Sequence, residues 1–435
     1  MKVAVIGAGW SGLSTAIFAS QAGHAVTVFE ASRMLGGRAR SLPAELPNGQ
    51  TVELDNGQHI LIGAYREALA LMRMLGVPAE TALRRQALTL RFADGHGLRL
   101  PKLPKPLDLL AGIALARGWS WGDRIALLRT ALAWKRKHFS CPDQLSVSEL
   151  ARPLGERLMR DLIEPLCVSA LNTPADQASA QVFLRVLHDA LFGLPGGSDL
   201  LLPRVPLGRL LPEAAANWLQ SQGTALHLGR RIDQLTRLGE QWHIEGQAFD
   251  ALVLATPARD SCRLLEQVTG ELPAALCEDL QSWRELTGKL RFEAITTVYA
   301  WSPQAALPCP MLAMSSTLLA PAQFVFDRGQ LGGPAGLLAF VISASRGERT
   351  DLQGQVLRQA VDQLSLKLAP VLSVTEKQAT FACLPGLKRP PTQIAPGLFA
   401  SGDFVEGPYP ATLEGAVRNA QAAVEALQTS PQASH

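Results

Sequence analysis

The chain has 435 residues, 47% of them hydrophobic and 18% charged, with a formal net charge of +3. The length is too great for one small core and implies two domains. The near-even charge lacks the global basic footprint of a nucleic-acid binder. Six scattered cysteines, none in a C-x-x-C pair, read as buried free thiols of a reducing compartment, and no Cys/His cluster offers a metal site.

Lys2–Ile6 is a β-branched run suited to a buried parallel strand. The next six residues, Gly7-Ala8-Gly9-Trp10-Ser11-Gly12, fit G-x-G-x-x-G. A helix is expected over Leu13–Ala22, stopped by Gly23, and then a second strand, Ala25–Phe29, ending at Glu30. Each part has a mechanical reason: Gly7 permits the tight turn, Gly9 lets a pyrophosphate approach the backbone, and Gly12 lets the helix pack on the strand. The helix N-terminus offers free N–H groups to phosphate, and the Glu30 carboxylate suits ribose hydroxyls while repelling a 2′-phosphate. Glycines break the apolar stretch after Lys2, which speaks against an export signal and for a cytoplasmic protein.

After Glu30, Gly36 and Gly37 allow a second close backbone approach. The Arg38 guanidinium can neutralise phosphate, although these residues alone favour a surface turn with a solvated arginine. Asn48-Gly49 is a hairpin-turn signal ahead of the segment Val52–Tyr65, which holds Asp55, Gln58 and His59. Arg66–Leu75 and Asp123–Lys137 read as amphipathic helices, the second with Ile125, Leu128 and Leu132 on one face. Residues 98–139 combine nine Lys or Arg against two Asp with Trp119, Trp121, Trp134 and the short apolar stretch Leu107–Ala116. That mixture fits either a helix lying on an anionic membrane or an ordinary surface hairpin, and no nucleic-acid-reading motif accompanies it. No window of about 20 apolar residues is present to span a bilayer.

Further along, Thr287–Trp301 and Leu337–Ser343 read as strands, and Phe249–Leu254 as a buried parallel strand running to Pro257. Gly397–Ser401 is a strand ending at Gly402-Asp403. A helix opens within Tyr409–Ala416 and runs to about Leu427. The polar residues 429–435 are expected to be a disordered tail.

The order G-x-G-x-x-G, acid, L-G-G-R resembles the amine oxidase and carotenoid desaturase superfamily of flavoproteins. The resemblance implies an α/β fold, with a Rossmann-type FAD-binding domain interleaved with a mixed-sheet and helical substrate domain. The FAD domain would draw on residues 1–65, 225–275 and 390–428, and the substrate domain on 66–224 and 276–389. It implies FAD held by Gly7, Gly9, Trp10, Ser11, Gly12, Glu30, Gly36, Gly37, Arg38, Gln58, His59 and Ile232, and near the C-terminus by Gly402, Asp403, Thr412 and Leu413. Ile232 would meet adenine, beside a mid-chain hairpin formed by Ala225–Leu228 and Trp242–Ile244. Thr412 and Leu413 would offer backbone N–H groups.

Asp55-Asn56-Gly57-Gln58-His59-Ile60 and Gly407-Pro408-Tyr409-Pro410-Ala411-Thr412 narrow the resemblance to the hydroxysqualene dehydroxylases of a bacterial squalene and hopanoid route. What that implies is reductive: reduced FAD replaces the hydroxyl of hydroxysqualene with hydride to give squalene. Partners would be the hydrophobic triterpene and the pathway enzymes making hydroxysqualene. Residues 98–139 would serve as a peripheral contact on the inner face of the cytoplasmic membrane. His59 and Tyr409 are the candidate acids, with flavin contact or packing as the competing roles. Asp55 reads as a brace for its turn. The competing functions are a carotenoid-type desaturase or amine oxidase running oxidatively, and a flavin-retaining lipid-binding protein.

Overall fold

Short apolar runs buried on both faces favour parallel strands. In the structure of the chain, a computed structural model that describes residues 1–429, they build a six-stranded sheet. Lys2–Ile6 lies at its centre, parallel to Ala25–Glu30 on one side and Ala251–Leu254 on the other. Ala225–Leu228 extends the sheet past Ala25–Glu30, and Leu398–Ala400 past Ala251–Leu254. Gln393–Ala395 closes that edge antiparallel. Helices Trp10–Gln21 and Leu413–Thr429 pack together, using small buried residues such as Ala16, Ala19 and Ala423. Three distant stretches of chain thus make one layer, with the glycine-rich turn at the C-terminal end of its central strand.

The second sheet is antiparallel. Its spatial order is Met311–Ala313, Phe324–Asp327, Leu337–Ile342, Phe292–Trp301 and Ala369–Phe381. The two-residue alternation of a strand sorts its side chains. Val325, Leu338 and Phe340 pack under helix Arg349–Leu364 through Leu352, Val356 and Ala360. Phe324, Phe326 and Val341 point the other way, toward the first domain. Residues 66–222 are mostly helical; the first and last of these helices, Arg66–Met74 and Pro212–Ser221, pack on Leu413–Thr429 and Trp10–Gln21 of the parallel-sheet layer.

Several expectations are corrected. Ala225–Leu228 is an edge strand of the parallel sheet, not half of a hairpin. The mid-chain hairpin is Thr236–Leu238 with Gln241–Ile244 and then Gln247–Phe249. The strand expected from Thr287 starts at Phe292, because helix Ala274–Gly288 runs on through Thr287. The helix expected from Asp123 starts at Trp121, fixed by a capping box between Ser120 and Asp123. Ile125 and Leu132 face outward and Leu128 is half-buried, while Leu127, Thr130 and Trp134 enter the core. Trp119 is likewise buried. Only Cys167 and Cys383 of the six free thiols are buried. The C-terminal helix reaches Thr429, taking the first residue of the expected tail. Residues 430–435 lie outside the described residues.

Candidate active site

A cavity of about 740 Å³ lies between the two sheets, within the range of about 300–1,000 Å³ usual for ligand sites. Its first wall is the glycine-rich turn. Gly7 sits at φ +112°, and a Cβ there would meet the Ala255 carbonyl oxygen at 2.5 Å. A Cβ on Gly12 would meet the Gly7 oxygen at 1.9 Å, so Gly12 serves helix packing and does not line the cavity. Gly9 is different: a Cβ would meet only the Gly37 Cα, at 3.9 Å, so its open side faces the cavity.

Helix Trp10–Gln21 starts there with no side-chain cap and no acid in its first turn. Its first N–H groups are free for an anion. Trp10 and Ser11 line the cavity, and the Ser11 hydroxyl is engaged with Ser401 Oγ at 2.5 Å. Glu30 also lines it, and its carboxylate accepts from Ala8 N at 2.6 Å and Ser32 N at 2.8 Å. Ile232, 4% exposed, borders the same end with Arg231 and Pro257.

The second glycine pair lies against the first. Gly36 N donates to Ala8 O at 2.9 Å, and Gly9 and Gly36 form a parallel bridge. Both Gly36 and Gly37 line the cavity with positive φ, +95° and +59°. Arg38 follows. Its Nη2 donates to Asp403 Oδ1 at 2.5 Å, and its Nη1 to the Ala379 carbonyl at 2.7 Å. Burial opposes the Arg38 charge, but Asp403 and Glu376 hold its pKa above the ordinary value. The guanidinium is a positive wall in mid-cavity rather than a solvated surface group.

Gly402 and Asp403 return at the end of Leu398–Ala400, with Gly402 N donating to Asn419 Oδ1 at 2.8 Å. The backbone then turns through Ala411 at φ +56°, a strained position for a residue with a Cβ. Thr412 Oγ1 accepts from Gly415 N at 2.9 Å and so caps helix Leu413–Thr429. Ala411, Thr412 and Leu413 all line the cavity.

Opposite them lies the segment after Asp55. Asp55 is 2% exposed. It accepts from Leu207 N at 2.8 Å and Ser41 Oγ at 3.3 Å, so it braces a helix far along the chain as well as its own turn. Burial pushes its carboxyl up, and Arg328, 4.0 Å away, opposes that. Arg328 itself is 7% exposed, and its Nη1 donates to Gln58 Oε1 at 3.1 Å. Gln58 and His59 both line the cavity. His59 Nδ1 lies 3.1 Å from Gly57 O. A carbonyl can only accept, so Nδ1 carries the proton. Burial, and more weakly Arg38, lower the pKa of the ring. A neutral His59 then presents Nε2 as an acceptor, not as an acid.

Tyr409 is not on the cavity wall. Its ring lies under the Arg418 guanidinium at 4.8 Å, and burial, then Asp189, push its phenol up to about 12. Its expected role as a proton donor or flavin-packing ring is therefore corrected. Tyr65, against which it packs edge-on at 6.4 Å, is the tyrosine on the wall. The far end is apolar: Ile60, Val168, Ile295, Phe324, Phe326 and Val341.

Sequence reading missed three supports. Arg328 carries no local motif. Glu414 is fully buried, accepts from Ala68 N at 2.9 Å and pairs with Arg418 at 2.7 Å; its place one residue after Leu413 was its only signal. The long strand Ala369–Phe381 supplies the Arg38 acceptor.

The glycine-rich end of an open parallel sheet thus faces an apolar chamber across one cavity, as suits an oxidoreductase with a nucleotide cofactor. The chain belongs to the flavin containing amine oxidoreductase family, which it matches over residues 10–428. It is 28% identical to a hydroxysqualene dehydroxylase of Zymomonas mobilis, over 97% of both chains. It is 23% identical to a 15-cis-phytoene desaturase of Capsicum annuum, over 98% of this chain and 78% of that one. Its fold is similar to that of an oxidoreductase from Methanosarcina mazei, with a TM-score of 0.72, 17% identity, and coverage of 98% of this chain and 100% of that one. The protein is thus a flavin-dependent oxidoreductase.

Proposed function

We propose that the flavin is FAD and that the enzyme reductively removes the allylic hydroxyl of hydroxysqualene to give squalene. The observation that carries this reading is one cavity running from Glu30, suited to a ribose, to Phe324 and Phe326, suited to a long hydrocarbon. Bound and reduced, FAD supplies the hydride that replaces the hydroxyl, which departs with a proton as water.

The chain's own residues do the rest. Glu30 receives ribose hydroxyls, and the free N–H groups at Trp10 and Ser11 receive the pyrophosphate. Arg38 offsets phosphate charge without leaving Asp403 unpaired. The capped N-terminus of helix Leu413–Thr429 favours negative charge near Thr412. The apolar end excludes water, which would otherwise trap an allylic cation. His59 Nε2 accepts a hydrogen bond and orients the hydroxyl or the cofactor; protonating it would require a charge that its burial opposes.

A carotenoid-type desaturation is the second reading, favoured by the similarity to a phytoene desaturase. Product analysis separates them. The anaerobically reduced enzyme with hydroxysqualene is expected to yield squalene, and the oxidised enzyme with phytoene no new conjugated chromophore. The reverse pattern makes it a desaturase, and lipid retained with no product in either arm makes it a carrier.

A further inference from the structure

The placed side chains decide between the two readings of the basic segment 98–139. Trp121 is 70% exposed, and with it Ile125 and Leu132 at 47% and 53%. At about 100° per residue, Trp121, Ile125, Leu128 and Leu132 form one line along helix Trp121–Arg136, opposite the core line of Leu127, Thr130 and Trp134. An amphipathic helix ordinarily has one apolar line, turned inward. This helix has a second line, of which Trp121, Ile125 and Leu132 are turned to solvent while Leu128 is half-buried against the core. By the same rotation Arg124 and Lys135 flank it on one side, Arg129 and Arg136 on the other. The Arg124 guanidinium lies 4.7 Å over the Trp121 ring and donates to Ala116 O, which holds the indole on the outer surface. The preceding helix, Leu107–Leu115, also exposes Leu107, Leu110 and Leu115.

A second element carries the same character. The hairpin between Met311–Ala313 and Phe324–Asp327 projects past its sheet to a tip of Leu318 and Leu319, 97% and 76% exposed. Its base is tied to the helices: Ala313 bridges Phe92, and Gly97, across the same turn, bridges Arg117. Both elements also lead to the apolar end of the cavity. Phe324 and Phe326 continue from the hairpin onto its wall. The helical turn Gly155–Leu158, packed on Trp121–Arg136, leads through Met159–Ile163 into Glu164–Leu171, which brings Val168 and Ala170 there.

We infer that this face docks on an anionic lipid surface, with the leucines and Trp121 among acyl chains and the flanking bases at headgroups. Charge selects this occupant. Nine basic residues oppose two acids in 98–139, so the rest of the chain holds 32 basic and 36 acidic residues. The excess is confined to this patch, where a second copy would bring like charge against like charge and an anionic bilayer complements it. The inference rests on the surface alone and does not depend on the substrate proposed above.

Co-sedimentation of the flavin-loaded protein with phosphatidylcholine vesicles, with and without about one third phosphatidylglycerol, tests it. Binding is expected only with the anionic lipid and should fall as salt rises. Trp121→Ser/Leu132→Ser and Leu318→Ser/Leu319→Ser should each weaken it about tenfold or more, since each pair removes two large apolar side chains. Flavin content should be unchanged in both. No binding to either vesicle, or binding indifferent to all four substitutions, overturns the inference. So does a stable dimer in solution that Leu318→Ser/Leu319→Ser converts to monomer, which would assign the face to a second copy.

Discussion

Arg38 and Asp403, 365 residues apart, are joined Nη2 to Oδ1 at 2.5 Å. The same guanidinium donates to the Ala379 carbonyl on the long strand of the second sheet. One side chain therefore fastens the glycine loop, the C-terminal return and the antiparallel sheet at mid-cavity. Asp403→Ala leaves a largely enclosed cation without its partner. The expected cost is about 2 kcal/mol, discounted from a fully buried pair because Arg38 is one third exposed. Denaturant melts and a flavin-release titration read it, and flavin affinity should fall with stability.

The Asp55–Arg328 pair makes a pH-dependent prediction. Burial already pushes Asp55 up, and Arg328 opposes that. Arg328→Met removes the opposition, so Asp55 rises further. An acid whose folded pKa lies above its unfolded value destabilises the fold as pH rises through that window. The variant should lose about 3 kcal/mol at neutral pH and regain part of it on acidification toward the carboxylate range. Urea melts across that pH range measure this; a loss independent of pH contradicts it.

Much of the cofactor cradle is legible in the sequence because it is local. The turn at Gly7, the open side of Gly9 and the packing of Gly12 follow from spacing within one strand–turn–helix unit. The pairing of Arg328 with Asp55 is not legible, because nothing near either residue marks a partner 273 residues away. The outward line of helix Trp121–Arg136 escaped for another reason. Periodicity finds an apolar face in Ile125, Leu128 and Leu132 but cannot say which of two such faces the core takes, and the line of Leu127, Thr130 and Trp134 takes it. Tyr409 and Tyr65 were exchanged similarly: chain position beside the capped helix did not reveal which ring reaches the cavity.

Glycine substitutions separate packing from flexibility. Gly12→Ala places a methyl 1.9 Å from Gly7 O, inside the cradle's backbone, and should yield protein without flavin or no folded protein. Gly23→Ala meets the opposite case, a positive φ of +82° but open space. It should cost only about 1 kcal/mol and keep its flavin. Equal outcomes for the two in flavin content and melting would refute the packing role of Gly12.

His59 should titrate low. Burial depresses its pKa below the ordinary 6.5. A histidine shifted this way contributes stability that is full above about 6.5 and is lost as pH falls below it. The NMR midpoint of the His59 ring is expected under 6.5, and His59→Gln should keep the flavin while slowing turnover. A midpoint at or above 6.5 would restore the ring as an acid.

Single-turnover reoxidation tests the central claim most directly. The purified enzyme is photoreduced without oxygen and mixed with hydroxysqualene, while flavin absorbance and products are followed together. One squalene formed per flavin reoxidised is the predicted result. Reoxidation without squalene, or no reoxidation by an enzyme that binds the alcohol, would contradict it.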